Sequence, residues 1–204
     1  CLKMCGIAGI FDSSSRARGR RDINPRILEA MNQVQIHRGP DDGGYFIQQG
    51  IGLAHRRLSI IDISTGQQPL FSQDKSVVIV FNGEIYNFKS LRDELKAKGY
   101  QFNTNGDTET ILNAYLEWGE DCVHHLRGMF AFAVWDRQNQ SLFIARDRLG
   151  IKPFFYSLLS DGSFVFDVNR DLVTNDGYYV LGTMGGNISD NNVLTSIKDE
   201  VKLG

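Results

Sequence analysis

The sequence is poor in cysteine, histidine and long apolar runs, and each shortage excludes a class of protein. Only three cysteines (Cys1, Cys5 and Cys122) and four histidines occur among 204 residues, and none has metal-ligand or disulfide-scaffold spacing. No apolar run reaches the ~18–20 residues that span a bilayer. The first residues do not form a charged segment followed by an apolar core, as a signal peptide would. We therefore expect no metal, no membrane contact and a reducing cytoplasm as the compartment.

A strong excess of charge is also absent. The chain carries 22 basic and 24 acidic residues, a formal net charge of −2, and so presents no basic field for nucleic acid. Nucleic acid is therefore not expected as a partner. The length and the hydrophobic fraction of 42% suit one sizeable domain with a large core.

Cys5 is the first candidate for chemistry. It stands before a short apolar run that ends at Asp12 and is predicted to be a buried strand. If translation starts at Met4 and that methionine is removed, Cys5 carries a thiol and a free α-amine on one carbon. An α-amine with a reference pKa of about 7.7–8.0 can accept the thiol proton, so nucleophile and base would be one residue. Alternatively, Cys5 is a small hydrophobic residue of the core.

Two further strand ends carry polar side chains. The apolar run Val77–Phe81 is predicted to be a fully buried strand that ends in a polar turn of Asn82, Gly83 and Glu84. Such a turn is a usual place for a site, although Asn-Gly is also the commonest hairpin dipeptide. Because the next segment is helical in pattern, we favour the site. Arg57 stands at the mouth of another predicted strand, which covers residues 56–62, starts charged and becomes apolar.

The remaining pattern predicts further helices and strands. A helix begins near Pro25 with Asn24 or Asp22 as its cap, and another covers 87–95. A third helix opens at residues 105–109, where Asp107 either caps the helix or offers its carboxylate to a ligand ammonium. Further strands are predicted at 128–136, 141–146, 154–156 and 163–166. Strands at both ends of the chain, with helices between them, indicate an α+β fold of sheets covered by helices.

After Phe166 the composition changes, because residues 167–204 are rich in Asp, Asn and Gly. Only one short apolar patch occurs there, at 178–181. We interpret residues 167–204 as a divergent, loosely ordered or disordered tail.

Six segments in order resemble the class II glutamine amidotransferase domain of glutamine-hydrolysing asparagine synthetase. The match covers residues 4–166, and six such segments in the right order are very specific. They are Met4–Asp12, His37–Asp41, Ala54–Asp62, Phe81–Asn87, Gly128–Ala133 and Ala145–Pro153. The resemblance implies an N-terminal-nucleophile hydrolase fold, which is a four-layer αββα sandwich. It also implies hydrolysis of glutamine to glutamate and ammonia.

The resemblance implies a role for each matching residue. Cys5 would attack the side-chain amide carbon of glutamine and form a glutamyl thioester. Asn82 and the Gly83 N–H would form the oxyanion hole, and Arg57 would hold the substrate α-carboxylate. The α-ammonium would bind Asp107, with Glu84 nearby. Leu58, Ser59, Ile60 and Ile61 would line the pocket.

Two departures from the family pattern define the alternatives. Cys1–Lys3 precede Met4, and if they persist, Cys5 has no free amine. No synthetase domain is found, so ATP and magnesium would belong to a missing domain and this chain needs no cofactor. The alternative to an enzyme is therefore a truncated, non-catalytic relic or glutamine-binding module blocked by the extension.

A third hypothesis is an amidotransferase that works only with a synthetase domain or subunit as ammonia acceptor. A homodimer is left open.

Overall fold

The computed structural model describes residues 5–13, 19–58 and 66–169, together with the backbone of 178–180, 186–188 and 201–203. The strands are β1 (Gly6–Asp12), β2 (Asp42–Gln48), β3 (Ile51–Arg57), β4 (Leu70–Phe71), β5 (Val77–Ile85), β6 (Gly128–Asp136), β7 (Ser141–Arg146), β8 (Phe155–Leu158), β9 (Ser163–Asp167), β10 (Tyr178–Val180), β11 (Gly186–Ile188) and β12 (Val201–Leu203). The helices are α1 (Pro25–Val34), α2 (Phe88–Ala97), α3 (Asp107–Trp118) and α4 (Cys122–His125).

The strands form two antiparallel sheets. The first has the order β12-β10-β8-β9-β1-β3-β2, and the second has the order β11-β7-β6-β5-β4. Helix α1 packs on β1 and β3 of the first sheet, whereas α3 packs on β4 and β5 of the second. Strands β1 and β3 also contact β5, so the two sheets are stacked. The αββα sandwich expected from the resemblance is confirmed.

Three apolar clusters correspond to the three interfaces between these layers. The cluster between the sheets includes Phe11, Leu53, Val80 and Trp135. A second cluster joins β5, β6 and β7 to α2 and α3, and a third joins β1 and β3 to α1. Every sheet face that these clusters cover is therefore withdrawn from water, which is what stabilises a layered domain.

Strand β5 is buried on both faces. Val78 and Val80 lie in the cluster between the sheets, whereas Val77, Ile79 and Phe81 lie in the cluster under the helices. Successive side chains of a strand point to opposite faces, so a strand covered on both sides is a continuous apolar run. The predicted buried strand at 77–81 is therefore present.

The strand does not end in a polar turn, however. Asn82, Gly83 and Glu84 continue β5 and pair with Ala131, Phe130 and Met129 of β6. The expected turn at 82–84 is wrong because β6 is nine residues long and supplies partners as far as Ile85. Gly83 is required here, since a Cβ would overlap the Met129 carbonyl oxygen.

The ordered core also continues past Phe166. Asp167 ends β9, and Val168 is buried in the cluster between the sheets with its N–H 3.2 Å from the Ile7 carbonyl oxygen. Three short strands, β10, β11 and β12, lie within the segment interpreted as a tail and extend both sheets. The other residues after Asn169, like Cys1–Met4, lie outside the described part of the chain.

Candidate active site

One end of the sandwich gathers the polar residues. Ile7 of β1 and Leu53 of β3 face the space between the sheets. Because side chains alternate along a strand, Cys5 before β1 and Arg57 at the end of β3 occupy the same face. The register confirms that they are neighbours, since Gly6 pairs with Arg56 in the antiparallel ladder.

The second sheet contributes residues by the same alternation. Val78 and Val80 of β5 face the space between the sheets, so Asn82 and Glu84 share that face. Lys152 interacts electrostatically with both the Cys5 thiol and the Glu84 carboxylate. The end of β5 and the start of β1 therefore meet at the same end of the sandwich.

Cys5 is half-buried and is held by one backbone N–H and one arginine side chain. The Leu58 N–H donates to Cys5 Sγ at 3.4 Å, and Arg38 Nε donates to the Cys5 carbonyl oxygen at 3.3 Å. Burial raises the pKa of the thiol, while the Leu58 N–H and the charges of Arg57 and Lys152 act to lower it. Burial outweighs these contributions and leaves the pKa of the Cys5 thiol raised, so a base is needed to form the thiolate, which is the nucleophilic form.

Asn82 is buried, with 1% of its surface exposed. Its Nδ2 has no hydrogen-bond partner among the described residues. A buried donor without a partner costs about 1–3 kcal/mol, and a ligand oxygen placed beside it would remove that cost. The amide faces the space between the sheets, as Cys5 does, and is therefore available to an oxygen bound there.

The Gly83 N–H is a second candidate donor, and it lies on the edge of β5 that faces away from β6. The short strand β4 covers only part of this edge. The Phe81 N–H donates to Gln68 Oε1 at 2.6 Å, and the Ile85 N–H donates to Asp107 Oδ2 at 2.9 Å. Backbone N–H groups of an antiparallel strand alternate between its two edges. The Gly83 N–H therefore points to the same edge, between these two bonds.

The hydrogen bonds of β6 support this direction of the Gly83 N–H. The Phe130 N–H donates to the Asp147 carboxylate at 3.2 Å, and the Phe130 carbonyl oxygen accepts from the Asp147 N–H at 2.8 Å. Phe130 is the β6 residue opposite Gly83, and its backbone groups point away from β5. The ladder therefore leaves the Gly83 N–H free of a β6 partner.

Asp107 begins α3 directly after the N-cap residue, Gly106, so the cap alternative is wrong. Burial raises the pKa of the Asp107 carboxyl, the Ile85 and Thr108 N–H groups lower it, and the Glu84 charge raises it again. The carboxylate is thus fixed at the end of β5. A cationic ligand group bound there would offset the cost of burying its negative charge.

The structure therefore brings together most of the residues singled out from the sequence. Cys5, Arg57 and Leu58 meet at the end of the first sheet. Asn82, Gly83, Glu84 and Asp107 lie at the end of β5 and the start of α3. Residues 59–61, predicted to line the pocket, lie outside the described part of the chain.

A family model of the glutamine amidotransferase domain matches residues 4–178. The chain belongs to this family. The glutamine-hydrolysing asparagine synthetase 1 of Bacillus subtilis is 44% identical over 170 residues, which are 83% of this chain and 27% of that protein. Asparagine synthetase B of Escherichia coli is 43% identical over 152 residues, or 74% of this chain and 26% of that protein. The chain thus spans about a quarter of the length of these relatives.

Solved structures support the fold of this amidotransferase domain. The glutamine phosphoribosylpyrophosphate amidotransferase of B. subtilis superposes with a TM-score of 0.65 at 17% identity, over 93% of this chain and 50% of that one. A glutamine aminotransferase class-II domain protein from Silicibacter pomeroyi superposes with a TM-score of 0.52 at 13% identity, over 98% and 97% of the two chains.

The candidate site also contains groups that the sequence analysis did not assign. Lys152 is only 4% exposed although it lies in a charged loop, and burial lowers its pKa. Buried Asp147 shapes this loop by accepting from the Ile151 and Lys152 N–H groups at 2.8 and 2.9 Å. A charged loop is normally read as solvated, so only the fold reveals that this lysine faces the thiol.

Neither a membrane span nor a metal cluster is found in the described part of the domain. No helix there is long and apolar enough to cross a membrane. No group of three or more His, Cys, Asp or Glu side chains there is placed to hold a metal ion.

Proposed function

We propose that this domain hydrolyses glutamine to glutamate and ammonia, with Cys5 as the nucleophile. The observation that carries the proposal is the buried, unpartnered Asn82 Nδ2 facing the same space as the Cys5 thiol. A thiol and a preorganised amide donor are the two groups that acyl transfer from an amide needs. Membership of the amidotransferase family supports the choice of substrate.

In this mechanism, Cys5 Sγ attacks the side-chain amide carbon of glutamine and its proton passes to a base. The oxygen of the tetrahedral intermediate accepts from Asn82 Nδ2 and the Gly83 N–H, which are worth about 3–4 kcal/mol each. The C–N bond breaks, the base returns its proton to the leaving nitrogen, and ammonia departs. Water then cleaves the glutamyl thioester, giving glutamate and the free thiol.

Arg57 and Asp107 hold the amino-acid end of the substrate. The guanidinium of Arg57 pairs with the α-carboxylate through two parallel N–H bonds. The carboxylate of Asp107 receives the α-ammonium, with Glu84 nearby. These two contacts select a free amino acid and fix its side chain toward Cys5.

The base is the α-amine of Cys5, formed when the peptide bond after Met4 is cleaved. An α-amine titrates near neutrality and lies on the same carbon as the thiol, so it can carry the proton in both half-reactions. With Met4 still attached, Cys5 has an amide nitrogen, which is not basic. Cleavage after Met4 is therefore part of the proposal.

The ammonia serves amide transfer of the asparagine synthetase type. The relatives are named glutamine-hydrolysing asparagine synthetases, and this chain matches about a quarter of their length. The acceptor chemistry therefore belongs to a synthetase domain or subunit. ATP and magnesium belong there also, and this domain needs no cofactor. A non-catalytic glutamine-binding module is not favoured, because the chain belongs to the glutamine amidotransferase domain family and its relatives are named as glutamine-hydrolysing.

The test is an ammonia-release assay and an intact mass on the same sample of protein. The proposal predicts a mass that begins at Cys5 and release of one ammonia per glutamine consumed. A sample beginning at Cys5 that binds glutamine and releases no ammonia would support the binding module instead. Hydrolysis by a chain that retains Met4 would contradict the assignment of the base.

A further inference from the structure

We infer that Gln68 is a positioning residue that holds the oxyanion donors of β5 and the ammonium-binding carboxylate of α3 at a fixed separation. The inference rests on the proposed function, since it concerns how that site is aligned. Gln68 lies before β4 and is half-buried. It is not one of the residues that bind glutamine in the mechanism above.

The side chain of Gln68 spans two elements. Its Oε1 accepts from the Phe81 N–H at 2.6 Å, and its Nε2 donates to Thr108 Oγ1 at 3.4 Å. A backbone N–H can only donate, so the amide oxygen must face Phe81 and the amide nitrogen must face Thr108. Phe81 directly precedes Asn82, and Thr108 directly follows Asp107.

Together with Asp107, Gln68 closes a ring of contacts around the Gly83 N–H. From Phe81 the ring follows β5 for four residues, or about 13 Å, to Ile85. The Ile85 N–H donates to Asp107 at 2.9 Å, and Thr108 leads back to Gln68. The Gly83 N–H points into the interval between these two attachments, so its direction depends on both.

Phe81 is held by both of its backbone groups. Gln68 takes the N–H, and the ring of His55 donates to the carbonyl oxygen. Burial lowers the pKa of His55 to about 3, more than this hydrogen bond raises it, so the ring is neutral at physiological pH. Phe81, the residue before Asn82, is therefore attached to β3 through His55 and to α3 through Gln68.

The backbone of Gln68 is itself fixed by close packing on β2. A Cβ on Gly44 would overlap the Gln68 carbonyl oxygen, so Gly44 allows the loop to lie directly on the strand. The Gln68 side chain is therefore presented from a rigid support. A fixed backbone favours a role for Gln68 in aligning its hydrogen-bond partners, because a side chain can position other groups only if its own backbone is held in place.

The experiment compares ammonia release by the wild-type protein, Gln68→Met and Thr108→Val. Gln68→Met keeps the length of the side chain and removes both hydrogen bonds. We expect its kcat to fall about tenfold or more, because both oxyanion donors lose alignment. Thr108→Val removes only the attachment to α3 and should mainly raise KM for glutamine, whereas Thr108→Ser keeps the hydroxyl and restores the wild-type value.

Two controls separate alignment from general damage. Gln67→Met makes the same change at the exposed neighbouring position and should match the wild type. The rate at which iodoacetamide alkylates Cys5 needs neither the oxyanion donors nor Asp107, so it should remain unchanged in Gln68→Met.

A Gln68→Met protein with wild-type kcat and KM, beside an active wild type, would overturn this inference alone. A fall in kcat together with a changed rate of Cys5 alkylation, in either direction, would also overturn it, because the substitution would then disturb the nucleophile itself. A wild-type protein that begins at Cys5 and releases no ammonia would contradict the proposed function itself, and this inference with it.

Discussion

The backbone N–H of Leu58 donates to Cys5 Sγ at 3.4 Å, across 53 residues of sequence. This contact joins the residue before β1 to the residue after β3. It places the thiol beside Arg57, whose charge acts to lower the thiol pKa. The candidate nucleophile and the candidate carboxylate-binding group are therefore adjacent because the two strands pair, and no local sequence pattern links them.

Asn82→Leu tests the oxyanion donor. Leucine has a similar volume but no N–H, so we expect kcat for ammonia release to fall by about 10²–10³, with a smaller change in KM. Steady-state kinetics with glutamine measure both values. Asn105→Leu, at an exposed position before α3, is the matched control and should leave kcat unchanged. An active Asn82→Leu protein would exclude the oxyanion role.

Arg57→Met tests the α-carboxylate contact. Loss of a buried, charge-assisted hydrogen bond should raise KM for glutamine by about 10–100-fold. Arg56→Met is the matched control, because Arg56 faces the other side of β3 and donates to the Asn32 carbonyl oxygen at 3.1 Å. Loss of this hydrogen bond in Arg56→Met should lower the free energy of unfolding without raising KM for glutamine. Equal KM values for the two variants would rule out the binding role of Arg57.

Lys152→Met tests the electrostatics of the thiol. The positive charge of Lys152 favours the Cys5 thiolate, so its removal should raise the thiol pKa. The pH profile of Cys5 alkylation by iodoacetamide should then move to higher pH, with slower alkylation at neutral pH. Lys89→Met, on the exposed face of α2, should leave the profile in place. A profile that moves to lower pH would contradict the expected rise of the thiol pKa.

Asp147→Ala tests what holds Lys152 in position. The buried carboxylate accepts three backbone N–H bonds, from Phe130, Ile151 and Lys152. Because bonds to a charged group are strong, we expect the free energy of unfolding to fall by at least about 3 kcal/mol. Urea denaturation measures the change, and Asp93→Ala on the surface of α2 is the control. Equal stability of both variants would show that the loop does not depend on Asp147.

The sequence predicted where Arg57 and Asp107 lie better than it predicted the length of β5. Asp107 does begin a helix, and Arg57 does lie at a strand end, although it closes β3 and was expected to open a separate strand at 56–62. Asn82, Gly83 and Glu84, however, were expected to form a turn, because the apolar run of the strand ends at Phe81. Pairing with nine residues of β6 outweighs that local preference, and long-range pairing is not visible in a local pattern.

Gln68 and Lys152 show why part of the site escaped prediction. Gln68 matters through contacts with Phe81 and Thr108, which are 13 and 40 positions away in the chain. Lys152 is buried by layers that assemble from distant segments. A polar residue in a loop has no periodic neighbours to reveal its environment, so only the folded structure can assign it.

The central claim is that Cys5 is the nucleophile for a glutamine side chain. It is tested most directly by incubating the protein with a glutamine analogue that carries a chloroketone in place of the amide, followed by peptide mass mapping. The account predicts a single adduct on Cys5, prevented by excess glutamine and absent from Cys5→Ala. Labelling of Cys122, or labelling of Cys5 that glutamine does not slow, would contradict it.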